Sequence, residues 1–126
     1  MPPHYGRDVT NPLFQPRNSC QVPAIFGKHI AIAWLEPRNI EERQRFEAAY
    51  MQHAYCWAIR KQVRNRFKTI QRYAAATEQK YDRLARVLRG QHVLRLDDIG
   101  LATAVLSDVH GNARDAMARP TLFVGR

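Results

Sequence analysis

The chain has 126 residues, which is enough for one packed core and too few for two. Hydrophobic residues make up 45% of it, and this content argues against wholesale disorder. Its formal net charge of +9 favours acidic partners such as DNA, RNA or an anionic membrane surface. No apolar run approaches the roughly 20 residues of a bilayer span, and the N-terminus lacks a secretory pattern, so we expect a cytoplasmic protein without a membrane partner. The two cysteines suggest no disulfide framework.

The first part of the chain predicts little regular structure. Residues 1–24 are rich in Pro, Asn and Gly and are expected to form an irregular arm. Residues 29–35 place apolar side chains at every second position, which predicts either a short strand or a buried extended segment. Because a lone strand leaves its edges unpaired, a strand here would need a partner, and a second copy of the chain is one source.

A long helix is predicted from about Ile40 to Phe67. Asn39 is suited to cap its first turn, where the negative charge of Glu41 and Glu42 is favourable. Its apolar residues fall into two stripes that are shifted around the helix: Phe46, Tyr50, His53 and Trp57, then Cys56, Ile59, Val63 and Phe67. This pattern fits one long helix, or two with a break near Lys61.

Two short helices and a third follow. Residues 69–77 and 80–89 are predicted helices with a turn at Glu78 and Gln79, and Gly90 is a suitable C-terminal stop. Residues 95–107 repeat the helical period. The predicted fold is therefore a mainly α helical bundle, with an arm at residues 1–39, a helical domain at residues 40–109 and a mobile tail at residues 110–126 that is able to dock locally.

The positive charge is concentrated in one block. Residues 60–95 carry eleven basic and two acidic side chains, whereas residues 1–59 sum to +1 and residues 96–126 to −1. A concentrated basic face is typical of proteins that bind polyanions. The alternative is a solvated helical surface that has no partner.

The two short helices resemble the helix-turn-helix of phage-repressor, Cro and XRE type regulators over about residues 69–107. The family pattern runs from an apolar-Ala pair, here Tyr73-Ala74, to a glycine seventeen residues after the first of them, here Gly90. The chain departs from the pattern at Thr77 and Glu78, which replace an apolar residue and the usual turn glycine, and at Leu88, where the family often has an acid. Without a glycine, Glu78 would have to adopt a left-handed backbone conformation, which costs about 1 kcal/mol, or the turn would have to avoid that conformation.

The resemblance implies roles for named side chains. The apolar contact between the two helices would come from Ala74, Ala76, Leu84 and Val87. Base edges would be read by the outer face of the second helix, at Tyr81, Asp82 and Arg86. Phosphates would be bound by Lys68, Gln71, Arg72, Lys80, Arg83 and Arg89. Two alternatives stay open here: a surface salt bridge between Asp82 and Arg86, and a core position for Tyr81.

We therefore expect sequence-specific binding of double-stranded DNA by a transcriptional regulator that acts as a homodimer in the nucleoid, without catalytic activity, cofactor or metal. The dimer would form through residues 29–35 and the long helix. The alternatives are a basic module that binds RNA or an acidic protein, and a non-specific packaging protein.

His53 and Cys56 have a spacing that suits a metal, but two ligands without a second pair favour a core position for both. Aromatic residues between basic ones, such as Trp57, either stack bases or belong to the core.

Overall fold

One long helix organises the fold. The computed structural model describes residues 14–125, and within them helix α1 (Ile40–Arg66) runs without a break at Lys61. Its first turn is capped as predicted, because the Asn39 side chain accepts a hydrogen bond of 2.9 Å from the backbone N–H of Glu42. The helix ends before Lys68, whose φ of 73° is left-handed. The buried positions follow both predicted stripes, so neighbours pack around more than one side of α1.

Four shorter helices follow α1 in the described residues. They are α2 (Ile70–Ala76), α3 (Tyr81–Leu88), α4 (Leu96–Val105) and α5 (Val109–Met117), and α2, α3 and α5 pack against α1. The strands are β1 (Ala33–Leu35) and β2 (Leu122–Val124), and 3₁₀ turns lie at Pro16–Ser19 and Pro23–Ile25. The mainly α prediction is confirmed. One hydrophobic core includes side chains from the predicted arm, the predicted helical domain and the predicted tail.

The C-terminal region is ordered into α5 and β2 instead of the mobile tail that the sequence predicted. The buried side chains of α5 repeat at helical spacing and face α1: Val109, Asn112, Ala113 and Ala116. The small alanines allow the two helices to approach closely. The Tyr50 hydroxyl also donates a hydrogen bond of 2.8 Å to the carbonyl of Met117. Packing on α1 therefore stabilises a helix that its own polar sequence only weakly predicts.

The short strand has its partners within the same chain. β1 pairs with β2 in parallel, with Trp34 opposite Phe123. On the other side of β1, the backbone N–H of Gln21 donates to the carbonyl of Ala33 at 2.9 Å, and Cys20 forms an antiparallel bridge with Trp34. The prediction that a second copy of the chain completes the strand thus loses its basis, since both edges of β1 are already engaged.

The described part of the N-terminal arm belongs to the core, although it has little regular structure. Phe26 has no exposed surface, and its ring lies edge-on to the rings of Trp34 and His53. The neighbouring Gly27 N–H donates a hydrogen bond of 2.9 Å to Nδ1 of His53. The prediction for residues 1–13 lies outside the described residues.

His53 makes the stability of the fold depend on pH. Because Nδ1 accepts from Gly27, the ring proton lies on Nε2, 3.3 Å from the carbonyl of Ile30. Burial lowers the pKa of His53, and the contact with Ile30 opposes this shift only in part. The unfolded chain, with a histidine pKa near 6.5, then binds the proton more readily than the folded one.

We expect the free energy of unfolding to be highest above about pH 7 and to fall as the pH drops toward about 5. Urea unfolding at several pH values measures this effect. His53→Gln, which can keep both hydrogen bonds, should flatten the profile. A profile of the same slope in the His53 variant would assign the pH dependence to other groups.

Candidate nucleic-acid interface

Helices α2 and α3 are separate and are joined by a tight turn at residues 77–80. Glu78, where the family has glycine, adopts a left-handed backbone with a φ of 57°. Its N–H donates to the carbonyl of Ala75 at 3.3 Å, and the N–H of Gln79 donates to the carbonyl of Ala74 at 2.9 Å. These two bonds form a Schellman motif that satisfies the last carbonyls of α2. The motif offsets the cost of about 1 kcal/mol that a non-glycine residue has in this conformation.

Side chains in the turn add further hydrogen bonds. The Thr77 hydroxyl donates to the carbonyl of Tyr73 at 2.7 Å, and the Gln79 amide donates to the Thr77 hydroxyl at 2.8 Å. At the other end of α2, the Thr69 side chain accepts from the backbone N–H of Arg72 at 3.2 Å. The departures from the family pattern at Thr77 and Glu78 are therefore compatible with an ordered turn.

The contact between α2 and α3 is apolar, with one correction to the predicted set. Ala74, Leu84 and Val87 are buried as predicted. Ala76 is exposed instead. Tyr73, which the predicted set did not include, is only 1% exposed and lies edge-on to Phe67.

A buried amide on α1 holds the C-terminal end of α3. Gln52 is 5% exposed, and its Nε2 donates to the carbonyls of Val87 at 3.0 Å and His92 at 2.8 Å. Its Oε1 accepts from the N–H of Leu94 at 2.8 Å. All three groups lie at or just after the end of α3, so one side chain fixes both the helix end and the connector to α4.

Gly90 connects the same end of α3 to the N-terminal arm. Its φ is 76°, and its N–H donates to the carbonyl of Val87, as the predicted helix stop requires. Its carbonyl accepts from the N–H of Arg17 at 3.0 Å. The ring of Phe26 lies so close that a Cβ at position 90 would be 2.6 Å from its Cδ1. The arm therefore supports α3 from the side that faces the core.

The outer face of α3, which we define as Asp82, Arg86 and Arg89, is exposed to solvent. No ion pair joins Asp82 to Arg86 within residues 14–125, so the alternative of a salt bridge between them is not formed. Tyr81 is 39% exposed and is not a core residue. The remaining predicted contacts are exposed as well: Lys68, Gln71, Arg72 and Lys80.

The structure brings part of the predicted set together. One surface depression at the start of α3 is lined by Lys80, Tyr81, Asp82, Arg83, Arg86 and His92. Arg89 lies with Tyr81 in a neighbouring cleft, and Lys68, Gln71 and Arg72 line neither of the two. Sequence reasoning did not identify His92, because it lies in a connector and no local pattern relates it to Arg86.

Arg83, one of the predicted phosphate contacts, is paired within the fold. Its two terminal nitrogens donate to the carboxylate of Asp98 on α4 at 2.9 and 2.7 Å. Asp98 is 8% exposed and also accepts from the backbone N–H of Arg95, which caps the first turn of α4. Burial alone would raise the pKa of Asp98, but the bonds from Arg83 and Arg95 outweigh it and hold that pKa below its ordinary value. Arg83 therefore joins α3 to α4 and is not a free cation.

The core interpretation of His53 and Cys56 is confirmed, since both are buried. Burial raises the pKa of the Cys56 thiol to about 12 and that of the Cys20 thiol to about 11, so both thiols are protonated at neutral pH. In the part of the chain that the structure describes, no group of three or more His, Cys, Asp or Glu side chains is placed to hold a metal.

None of the described helices has the length and apolar character that crossing a bilayer requires.

No protein-family model matches this chain, and no curated protein or solved structure is significantly similar to it.

Proposed function

We propose that the protein binds double-stranded DNA in a sequence-specific manner and regulates transcription, with α3 in the major groove. The observation that carries the proposal is the two-sided character of α3. Leu84, Val87 and Leu88 are buried, whereas the outer face presents Asp82, Arg86 and Arg89 to solvent. A helix with one side packed on the core and the other side polar and exposed has the form required of a recognition helix.

The side chains divide into two groups by their chemistry. Arg86 is proposed to pair bidentately with guanine, and Asp82 to accept a hydrogen bond from a cytosine amine. The exposed cations at the ends of the two helices are proposed to neutralise phosphates, together with the amide of Gln71: Lys68, Arg72, Lys80 and Arg89. Because a short recognition helix covers few base pairs, we propose that two copies bind adjacent half-sites about 34 Å apart.

The decisive experiment is selection of bound duplexes from a random pool with the full chain, followed by affinity measurements on the enriched sequence. We expect one motif to be enriched. Arg86→Ala should reduce the preference for that motif over random duplex by about 1–3 kcal/mol, because a bidentate contact to a base is lost. Fluorescence anisotropy on matched and mismatched duplexes measures the difference.

Two control variants separate base contacts from general charge. Arg72→Ala should weaken binding to all sequences alike and should lower the slope of log affinity against log salt by about one. Arg114→Ala removes an exposed arginine from α5 and should change neither affinity nor preference appreciably. Equal retention of every duplex would indicate packaging in place of regulation, and tighter binding to RNA would overturn the assignment to DNA.

A further inference from the structure

A cleft beside α3 is lined by several cations and, among the described residues, by no acidic side chain. The cleft, which we call the basic cleft, has a volume of about 140 Å³ and is lined by Lys28, Arg60, Ile70, Tyr81, Ala85, Leu88 and Arg89. Three of these side chains are positively charged and none is acidic. They come from the N-terminal arm, α1 and the end of α3, so the fold brings together cations that are far apart in sequence.

Arg60 is the unusual member of the basic cleft. Its Nε is buried and has no hydrogen-bond partner within the described chain. Burial lowers the pKa of Arg60; Cys56 opposes this shift in part, and the like charges of Arg89 and Arg64 add to it. Leaving a buried guanidinium donor unpaired beside a second guanidinium is unfavourable unless an anion is present to accept from them.

We propose that the basic cleft binds a phosphate group, held by Arg60 and Arg89 with Lys28 as an additional charge and the Tyr81 hydroxyl as a neutral donor. Guanidinium groups match the geometry of phosphate oxygens, and a volume of about 140 Å³ accommodates one phosphate group. Two sources have this chemistry: a phosphate of the DNA backbone, and a free phosphorylated small molecule. Tyr81 lines both this cleft and the depression at the start of α3, so a duplex on the outer face would pass close to the cleft.

The first test uses inorganic phosphate as the probe and the full chain. At fixed ionic strength, replacing chloride with 10 mM phosphate should raise the melting temperature by roughly 3 °C or more. Arg60→Met should lose this shift and should melt higher than the wild type in chloride, because an unpaired buried charge is removed. Arg89→Gln changes an exposed side chain, and it should also lose most of the shift.

Arg114→Gln is the matched control and should keep the full shift. The proposal is overturned if phosphate has no effect, or if it stabilises the wild type and the two cleft variants equally, as a general salt effect would.

The second test separates the two sources. If the occupant is a DNA phosphate, Arg60→Met should lower the slope of log affinity against log salt for random duplex by about one. An unchanged slope together with a lost phosphate shift assigns the cleft to a free phosphorylated molecule. Arg86→Ala should keep the phosphate shift whatever its effect on base preference, so failure of the proposed DNA readout and failure of the cleft are distinguishable.

Discussion

Replacing Gln52 with leucine should destabilise the protein by about 2–4 kcal/mol. The volume of the side chain is nearly kept, but the carbonyls of Val87 and His92 and the N–H of Leu94 all lose their bond to the Gln52 amide. The Val87 carbonyl still accepts from the Gly90 N–H. The cost therefore comes mainly from the His92 carbonyl and the Leu94 N–H, at about 1–3 kcal/mol for each part-buried group that loses its partner. Guanidinium chloride unfolding followed by circular dichroism measures the loss.

Gln44→Leu is the matched control, because Gln44 is exposed on the same helix. It should change the free energy of unfolding by less than about 0.5 kcal/mol. If the two variants were equally stable, the three hydrogen bonds to Gln52 would not be what holds the end of α3. In that case the apolar contact between α2 and α3 would have to hold α3 alone.

The contacts that hold α3 from its buried side explain how α2 and α3 form an ordered pair although Thr77 and Glu78 depart from the pattern that they resemble. In the family pattern a glycine makes the turn tight, whereas here Glu78 adopts the left-handed conformation at an energetic cost. Gln52, Gly90 and the pair of Arg83 with Asp98 add contacts from α1, the arm and α4. The geometry of α3 thus depends on tertiary contacts as much as on the turn.

Features that depend on local chemistry were predictable from the sequence. The Asn39 cap and the stop at Gly90 each follow from one residue type at one position. The pattern of residues 40–67 predicted helix but left open a break near Lys61, which the structure does not have. The burial of Leu84 and Val87 follows from the helical period. By contrast, Leu96 is apolar but 86% exposed, because the first turn of α4 is positioned by the Asp98 cap and not by burial of its first residue.

Features that join distant parts of the chain were not predictable. β1 and β2 are about 90 residues apart, and no three-residue segment specifies its partner. The pairing of Arg83 on α3 with Asp98 on α4 joins residues 15 positions apart, and no local pattern in the sequence indicates it. Arg60 could be counted in the basic block from the sequence, but only the fold shows that its Nε is buried beside Arg89.

Replacing Gly90 with alanine should destabilise the protein by about 2–4 kcal/mol, from two separate causes. The backbone at Gly90 has a φ of 76°, which costs an alanine about 1–2 kcal/mol. The new Cβ would also lie 2.6 Å from Cδ1 of Phe26 and 2.9 Å from Cβ of Arg17, and such overpacking costs typically about 1–3 kcal/mol. Thermal and denaturant unfolding measure the sum.

Gly100 provides the opposite expectation for the same chemical change. It lies within α4, it is exposed, and a Cβ there would have nothing within 4 Å. Gly100→Ala should therefore stabilise the protein by about 0.5–1 kcal/mol, since alanine loses less backbone entropy in a helix. A stable Gly90→Ala variant would mean that the end of α3 does not need the left-handed residue against Phe26. The placement of the outer face of α3, on which the proposed DNA contact depends, would then need another explanation.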